Sequence, residues 1–153
     1  RKHDLIRTGA GKLVAPQKLE ARLGAHEGIA HAVVLGEGLP RIVALVDIDE
    51  RAMMRLAARE NLGCRTRAEL VDHPRVRRWV SEWIDEVNAG LARHEHIAAF
   101  ALLAEPLRAQ TGELSTTGRA RRRAIAERHA GLVAGLAAAG GTATQEPLSS
   151  RSP

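Results

Sequence analysis

The sequence predicts a small α+β domain: a three-stranded sheet flanked by helices, preceded by an N-terminal hairpin with a glycine loop. Three observations carry that expectation. Short Val- and Ile-rich runs alternate with stretches of helical spacing, in the order hairpin, helix, two strands, two helices, strand, helix. The stretch PRVRRWVSEWIDEVNAGLA carries an apolar stripe at intervals of three and four, as a core-facing helix does. No internal repeat is present, and 153 residues with 44% hydrophobic and 27% charged content suit one domain.

Taken in order, IRTGAGKLV sets Gly9 and Gly11 between the apolar pieces Leu5-Ile6 and Leu13-Val14, which reads as a hairpin or loop. Pro16 can open a helix, because its fixed φ suits the first turn and its missing N–H costs nothing there. Leu19 and Leu23 share one face of that helix, and Gly24 ends it. IAHAVVLG and RIVALVDI are strands joined by Glu37-Gly38-Leu39-Pro40, a turn composition. Asp49 is the expected N-cap of a helix carrying Met53, Leu56 and Ala57, with Gly63 ending it. Asp72 with Pro74 signals the start of the tryptophan helix, whose Trp79 and Trp83 are core residues rather than a ligand cradle. IAAFALLA is the third strand. Residues 119–136 read as one last helix with Ile125, Leu132, Val133 and Leu136 on one side and His129 in a packing role. From Gly140 the chain turns polar and aperiodic, so 139–153 is expected to be a disordered tail.

The net charge of +5 and a pI near 10.6 invite a nucleic-acid reading. Against it, Trp79, Trp83 and Phe100 are the whole aromatic set, too few and too core-like to give stacking platforms. No specific nucleic-acid partner is expected. The single cysteine, Cys64, cannot pair within the chain and suits a reducing, cytoplasmic setting. No apolar run approaches the ~20 residues of a transmembrane helix, which leaves peripheral membrane contact as the closest association with a bilayer. The histidines lack metal spacing. His94-x-His96 is the nearest approach to it, and no metal ligands are assigned. A start at Arg1-Lys2-His3-Asp4 reads as a fragment or an excised domain.

Three colinear stretches resemble the C-terminal lid domain of AMP-forming acyl-CoA synthetases, in the long-chain fatty acid branch. RKHDLIRTGAGKLVAPQKLE is similar to that family's Arg-Lys-Lys-Asp-Leu-Ile-Lys segment, glycine turn, Val-Ala-Pro and helix. HAVVLGEGLPRIVALVDID is similar to its paired strands. LLAEPLRAQTGELSTTGRARRRAI resembles its Gly-Glu-Leu-Thr-Pro-Thr-x-Lys-x-Lys-Arg ending.

The resemblance implies residues 1–138 as a lid domain that works with its own N-terminal adenylation domain, here absent, on ATP, fatty acid and coenzyme A. Magnesium is expected in the absent domain. The lid closes to form acyl-adenylate, then rotates about a hinge so that coenzyme A can attack. Position by position, Arg1 matches a ribose- and phosphate-contacting arginine, His3 the hinge, and Arg7 a lysine near the AMP. Gly9, Ala10 and Gly11 match the loop lining the thiolation channel, with Lys12 beside it. Arg119 falls on the adenylation lysine, so the arginine-rich stretch GELSTTGRARRRAI reads as a catalytic loop, with Arg121, Arg122 and Arg123 as the solvated start of a helix. Arg119 replaces lysine, Thr116 replaces proline and Gly118 is gained, changes expected to loosen that loop. The fragment is expected to be inactive alone. The other class of reading is a noncatalytic basic interaction module, or a pseudoenzyme remnant.

Overall fold

The computed structural model describes residues 5–138; Arg1, His3 and the expected tail 139–153 lie outside them. The observed order is β1 (Ile6–Arg7), β2 (Leu13–Val14), α1 (Pro16–Gly24), β3 (Ile29–Leu35), β4 (Ile42–Ile48), α2 (Glu50–Arg59), α3 (Arg67–Asp72), α4 (Pro74–Ala89), β5 (Ile97–Leu102), α5 (Arg122–Arg128) and α6 (Ala130–Ala138). β3 and β4 pair antiparallel, β5 adds parallel to β4, and β1–β2 form a separate antiparallel hairpin.

β4 is the centre of the molecule because alternate residues of a strand face opposite ways. Ile42, Ala44, Val46 and Ile48 pack against α1, the hairpin and the α2–α4 side. Val43 and Leu45 pack on the other face with Ile125, Val133 and Leu136 of α5 and α6. Helices on both faces explain why the whole strand is buried and reads as a nearly continuous apolar run. Burying each Leu or Val side chain stabilises the fold by roughly 1.5–3 kcal/mol, so this strand seats both helical layers.

Local signals set the element ends. Asp49 Oδ1 accepts the Ala52 N–H at 3.0 Å, the expected N-cap. Pro16 occupies the first turn of α1. In α4, Val76, Val80 and Ile84 are fully buried, while Trp83 stacks on His26 with ring centroids 4.7 Å apart. The tryptophans serve packing, as expected.

Three expectations fail locally. First, a further helix, α3, intervenes before the tryptophan helix, and Asp72 closes it while His73 caps α4. Thr66 Oγ1 accepts the Glu69 N–H at 3.1 Å, and Glu69 Oε1 accepts the Arg65 N–H at 2.6 Å. This is a near-relative of the capping box, legible as Thr66-x-x-Glu69. Its six residues are too few to show a period. Second, residues 119–136 are not one helix: Arg119 and Ala120 belong to a turn, and the helix breaks at His129 into α5 and α6. Third, Arg122 is not a solvated arginine. Its Nη2 reaches both carboxylate oxygens of Glu20 at 2.7 and 2.9 Å, and Glu20 Oε2 also accepts the Val34 N–H at 2.8 Å. Arg121 and Arg123 do lie exposed.

Candidate functional site

The β1–β2 hairpin closes through Thr8, whose N–H donates to the Lys12 carbonyl at 2.9 Å and whose Oγ1 accepts the Lys12 N–H at 3.2 Å. Gly11 turns back with φ 85°, a conformation that disfavours any residue with a Cβ, and its N–H reaches the Thr8 carbonyl at 2.8 Å. The hairpin docks on the β3–β4 turn by backbone bonds: Gly9 N–H to the Leu39 carbonyl at 2.8 Å and Gly38 N–H to the Arg7 carbonyl at 2.9 Å. A Cβ on Gly9 would sit 3.1 Å from the Leu39 oxygen, so this glycine is required by close approach. Arg7 is spent locally, donating from Nη1 to the Gly11 carbonyl at 3.3 Å and from its N–H to Glu37 Oε1 at 3.0 Å. Ala10 and Lys12 are exposed at the turn.

Arg119 sits on a second turn. The Ser115 N–H donates to the Arg119 carbonyl at 2.8 Å, the Gly118 N–H to the Ser115 carbonyl at 2.9 Å, and Leu114 bridges Ala120. Gly118 has φ 84°, so the turn is a short hairpin with a left-handed glycine ahead of the returning strand. Ser115 Oγ accepts the N–H groups of Thr117 at 3.3 Å and Arg119 at 3.1 Å. Gly118 therefore closes the turn instead of loosening it. The Arg119 side chain is exposed and has no partner among the described residues, leaving its guanidinium free for an anion.

Under that turn lies a residue the sequence reading passed over. Glu113 is buried, with 3% exposure. Its Oε2 meets His129 Nε2 at 2.8 Å and Arg128 Nε at 3.4 Å. Its Oε1 accepts the Arg108 N–H at 3.4 Å and the Thr111 hydroxyl. Burial pushes this carboxyl up, but hydrogen bonds from Thr111, His129 and Arg108, with the charge of His129, outweigh it and hold the group below the ordinary glutamate value. His129 thus has a polar partner on its otherwise packed helix, which its place in an apolar stripe concealed.

A second buried carboxylate fixes where this loop begins. Asp47, 3% exposed on β4, accepts Arg67 Nη2 at 2.9 Å and the Leu107 N–H at 3.2 Å, and pairs with His31 Nδ1 at 3.1 Å. Arg67 also donates to the carbonyls of Leu103 and Ala104 at 3.0 Å each, where β5 gives way to the loop. The available signal was one aspartate inside the apolar run RIVALVDI.

A groove of about 780 Å³ runs between the start of the hairpin and the start of α5, with Leu5 and Ile6 at one side, Ala120 and Arg123 at the other, and Leu35 and Val133 on its walls. The structure so brings the hairpin residues and the flank of the Arg119 turn to one surface. Cys64 stands apart; burial and the Glu69 carboxylate push its thiol up, which disfavours the reactive thiolate. Among the described residues, no group of three His, Cys, Asp or Glu side chains is arranged to hold a metal ion.

A family model described as AMP-binding enzyme C-terminal domain matches residues 3–139. The chain is 33% identical over 131 residues to a long-chain-fatty-acid–CoA ligase of Mycobacterium tuberculosis, covering 85% of this chain and 22% of that protein. It is 27% identical over 125 residues to the peroxisomal long chain acyl-CoA synthetase 7 of Arabidopsis thaliana, covering 80% of this chain and 18% of that one. Its fold is that of part of the adenylation domain of a carboxylic acid reductase from Segniliparus rugosus, solved with AMP and a co-purified carboxylic acid. There the TM-score is 0.68 at 20% identity, over 89% of this chain and 20% of that one. The chain thus spans about a fifth of the length of these relatives. With a match across nearly its whole length, it belongs to the AMP-binding enzyme C-terminal domain family.

Proposed function

We propose that this chain is the lid of a long-chain fatty acid–CoA ligase, with residues 1–138 as one lid domain and a separate N-terminal domain supplying most contacts to ATP and fatty acid. The observation that carries the reading is the free, exposed guanidinium of Arg119 on a closed turn, in a chain whose curated relatives are fatty acid–CoA ligases. In the first half-reaction the fatty carboxylate attacks the α-phosphate of ATP and pyrophosphate leaves. Charge builds on phosphate oxygens, and a cation already fixed in place stabilises it without reorganising. In the second, the coenzyme A thiol attacks the acyl carbonyl and AMP leaves. The glycine hairpin suits that step, because no atom lies within 4 Å of a Cβ built on Gly11 and the backbone is open to close approach.

In this reading Gly9, Ala10, Gly11 and Lys12 line the coenzyme A path, Arg7 shapes the hairpin near the nucleotide, Arg1 contacts it, and His3 is the hinge. Magnesium belongs to the adenylation domain. The setting is cytoplasmic, with peripheral membrane contact open; no helix of the described residues is long and apolar enough to cross a membrane. The basic interaction module loses ground because Arg122 is committed to Glu20.

The test is single-turnover acyl-adenylate formation by the full-length ligase. Arg119→Ala should lower that rate about a hundredfold, the effect of removing ~3 kcal/mol of charge stabilisation. Arg119→Lys, which restores a compact ammonium, should raise the rate above that of the arginine enzyme. Thioester formation from supplied acyl-adenylate should barely change in either variant. Unchanged adenylation in the alanine variant would sink the assignment. The 153-residue chain alone should give no sustained AMP release from ATP, palmitate and coenzyme A.

A further inference from the structure

We propose that Glu113 is the positioning residue of the Arg119 turn, tying the base of that turn to the α5–α6 junction so that the helix pair sets where the cation stands. The proposal rests on Arg119 being the adenylation cation, but its geometry stands by itself.

Glu113 is the last residue before the turn's paired region and is held at three points. Its N–H donates to the Arg108 carbonyl at 3.1 Å, and its carbonyl accepts the Arg121 N–H at 2.8 Å, closing the turn across its base. Its carboxylate points inward to His129 and Arg128, at the break between the two helices. The same carboxylate reaches back to Arg108 and Thr111 in the loop that leads to the turn. One side chain therefore joins the incoming loop, the turn and the helix junction. The turn makes none of these side-chain links by itself: Ser115 bonds only within it. Without the carboxylate the turn would keep its shape and its Leu114 packing but lose its polar link to the helix junction.

The charged and titratable groups facing Glu113 are Arg128 and His129 from the helix junction; Arg108 meets it through its backbone N–H, while its guanidinium lies against Glu105. Because the carboxyl sits below the ordinary glutamate value, the tether is intact at neutral pH. It is released only as the pH falls through that lowered value.

Amide hydrogen exchange and NMR spectra of the 153-residue chain test this directly. Glu113→Gln, which keeps volume but removes the charge, should move the amide signals of Ser115, Gly118 and Arg119 and speed their exchange about tenfold. The amides of Thr8, Gly11 and Val43–Val46 should stay as they are. His129→Gln should act in the same direction more weakly, and it serves as the deciding variant if the glutamine chain fails to fold. In the unmodified chain, the turn amides and the Glu113 carboxyl carbon should titrate together in acid. Turn amides that ignore both substitutions, or that titrate apart from the carboxyl, overturn the proposal.

In the full-length ligase, Glu113→Gln should slow adenylation while leaving thioester formation from supplied acyl-adenylate unchanged. Loss of both half-reactions together would indicate general damage and count against a positioning role. If Arg119→Ala leaves adenylation intact, the functional reading fails, yet the exchange data still decide whether Glu113 holds the turn.

Discussion

Two tight turns each carry a glycine in the left-handed region: Gly11 at φ 85° and Gly118 at φ 84°. Each also uses a hydroxyl to bind its own backbone, Thr8 in the first and Ser115 in the second. They differ in what fastens them to the domain. The glycine hairpin is docked by backbone bonds to the β3–β4 turn, with Gly9 against Leu39 and Gly38 against Arg7, and by the apolar side chains of Ile6 and Val14 in the core. The Arg119 turn is fastened by buried side chains, Glu113 beneath it and Asp47 at the start of its loop. Backbone and apolar docking carries no titrating group. Side-chain docking can be broken by a single substitution or by acid.

The most severe break should come at Asp47. Asp47→Ala leaves Arg67, itself only 10% exposed, with only the half-exposed Glu50 carboxylate at 3.6 Å, and removes the acceptor for the Leu107 N–H. Stranding one member of a buried pair costs about 3–5 kcal/mol, so urea denaturation of the chain should show a loss of that order. A loss below about 1 kcal/mol would mean that water replaces the carboxylate readily, and the contrast with the hairpin would blur.

Next comes Glu113→Gln, expected to cost about 1–3 kcal/mol at neutral pH because donors from His129 and Thr111 lose a charged acceptor. Its pH signature sharpens the comparison. A depressed carboxyl gives stability that is present above the ordinary glutamate value of about 4.3 and is lost as pH falls through the lowered folded value. Denaturation midpoints should therefore fall in acid for the unmodified chain more steeply than for the glutamine variant. Parallel curves would remove the pH distinction between the turns.

Gly11→Ala and Gly118→Ala should cost nearly the same, ~1–2 kcal/mol each, since both positions are left-handed and both have open space at the Cβ. Equal values would show that the turns are alike within themselves and differ only in attachment. Gly9→Ala differs in kind, for its methyl must push the Leu39 carbonyl away at 3.1 Å and so lift the hairpin off the β3–β4 turn. On the proposed lid reading, its expected signature is a loss confined to the thioester half-reaction.

The smallest effect is expected from Ser115→Ala, about 0.5–1.5 kcal/mol, because the exposed backbone donors it frees at Thr117 and Arg119 can turn to water. A thermal shift measurement suffices to detect it.

Much of the fold was legible because it rests on neighbours in the chain. The Val- and Ile-rich runs became β3, β4 and β5, the Asp49 cap formed, and the tryptophan stripe became the buried face of α4. The glycine hairpin was legible for the same reason, since residues 6–14 close on themselves. The helix over 119–136 was misread because apolar spacing continues through His129. The break falls at His129, whose ring meets Glu113, 16 residues away, a contact that periodicity does not encode.

The sequence by itself thus determined the strands, the helices α1, α2 and α4, the apolar faces and the N-terminal glycine hairpin, all set by φ preference, spacing and capping within a few residues. Tertiary structure alone decided which charges are fastened and which are free. Asp47 meets Leu107 across 60 residues and Arg122 meets Glu20 across 102, while Arg119, three positions away from Arg122, is left open to solvent. The physical reason is that a charge is buried only where the folded chain brings it a partner. That partner is chosen by the packing of the sheet and its two helical layers, and no local pattern of residues specifies it.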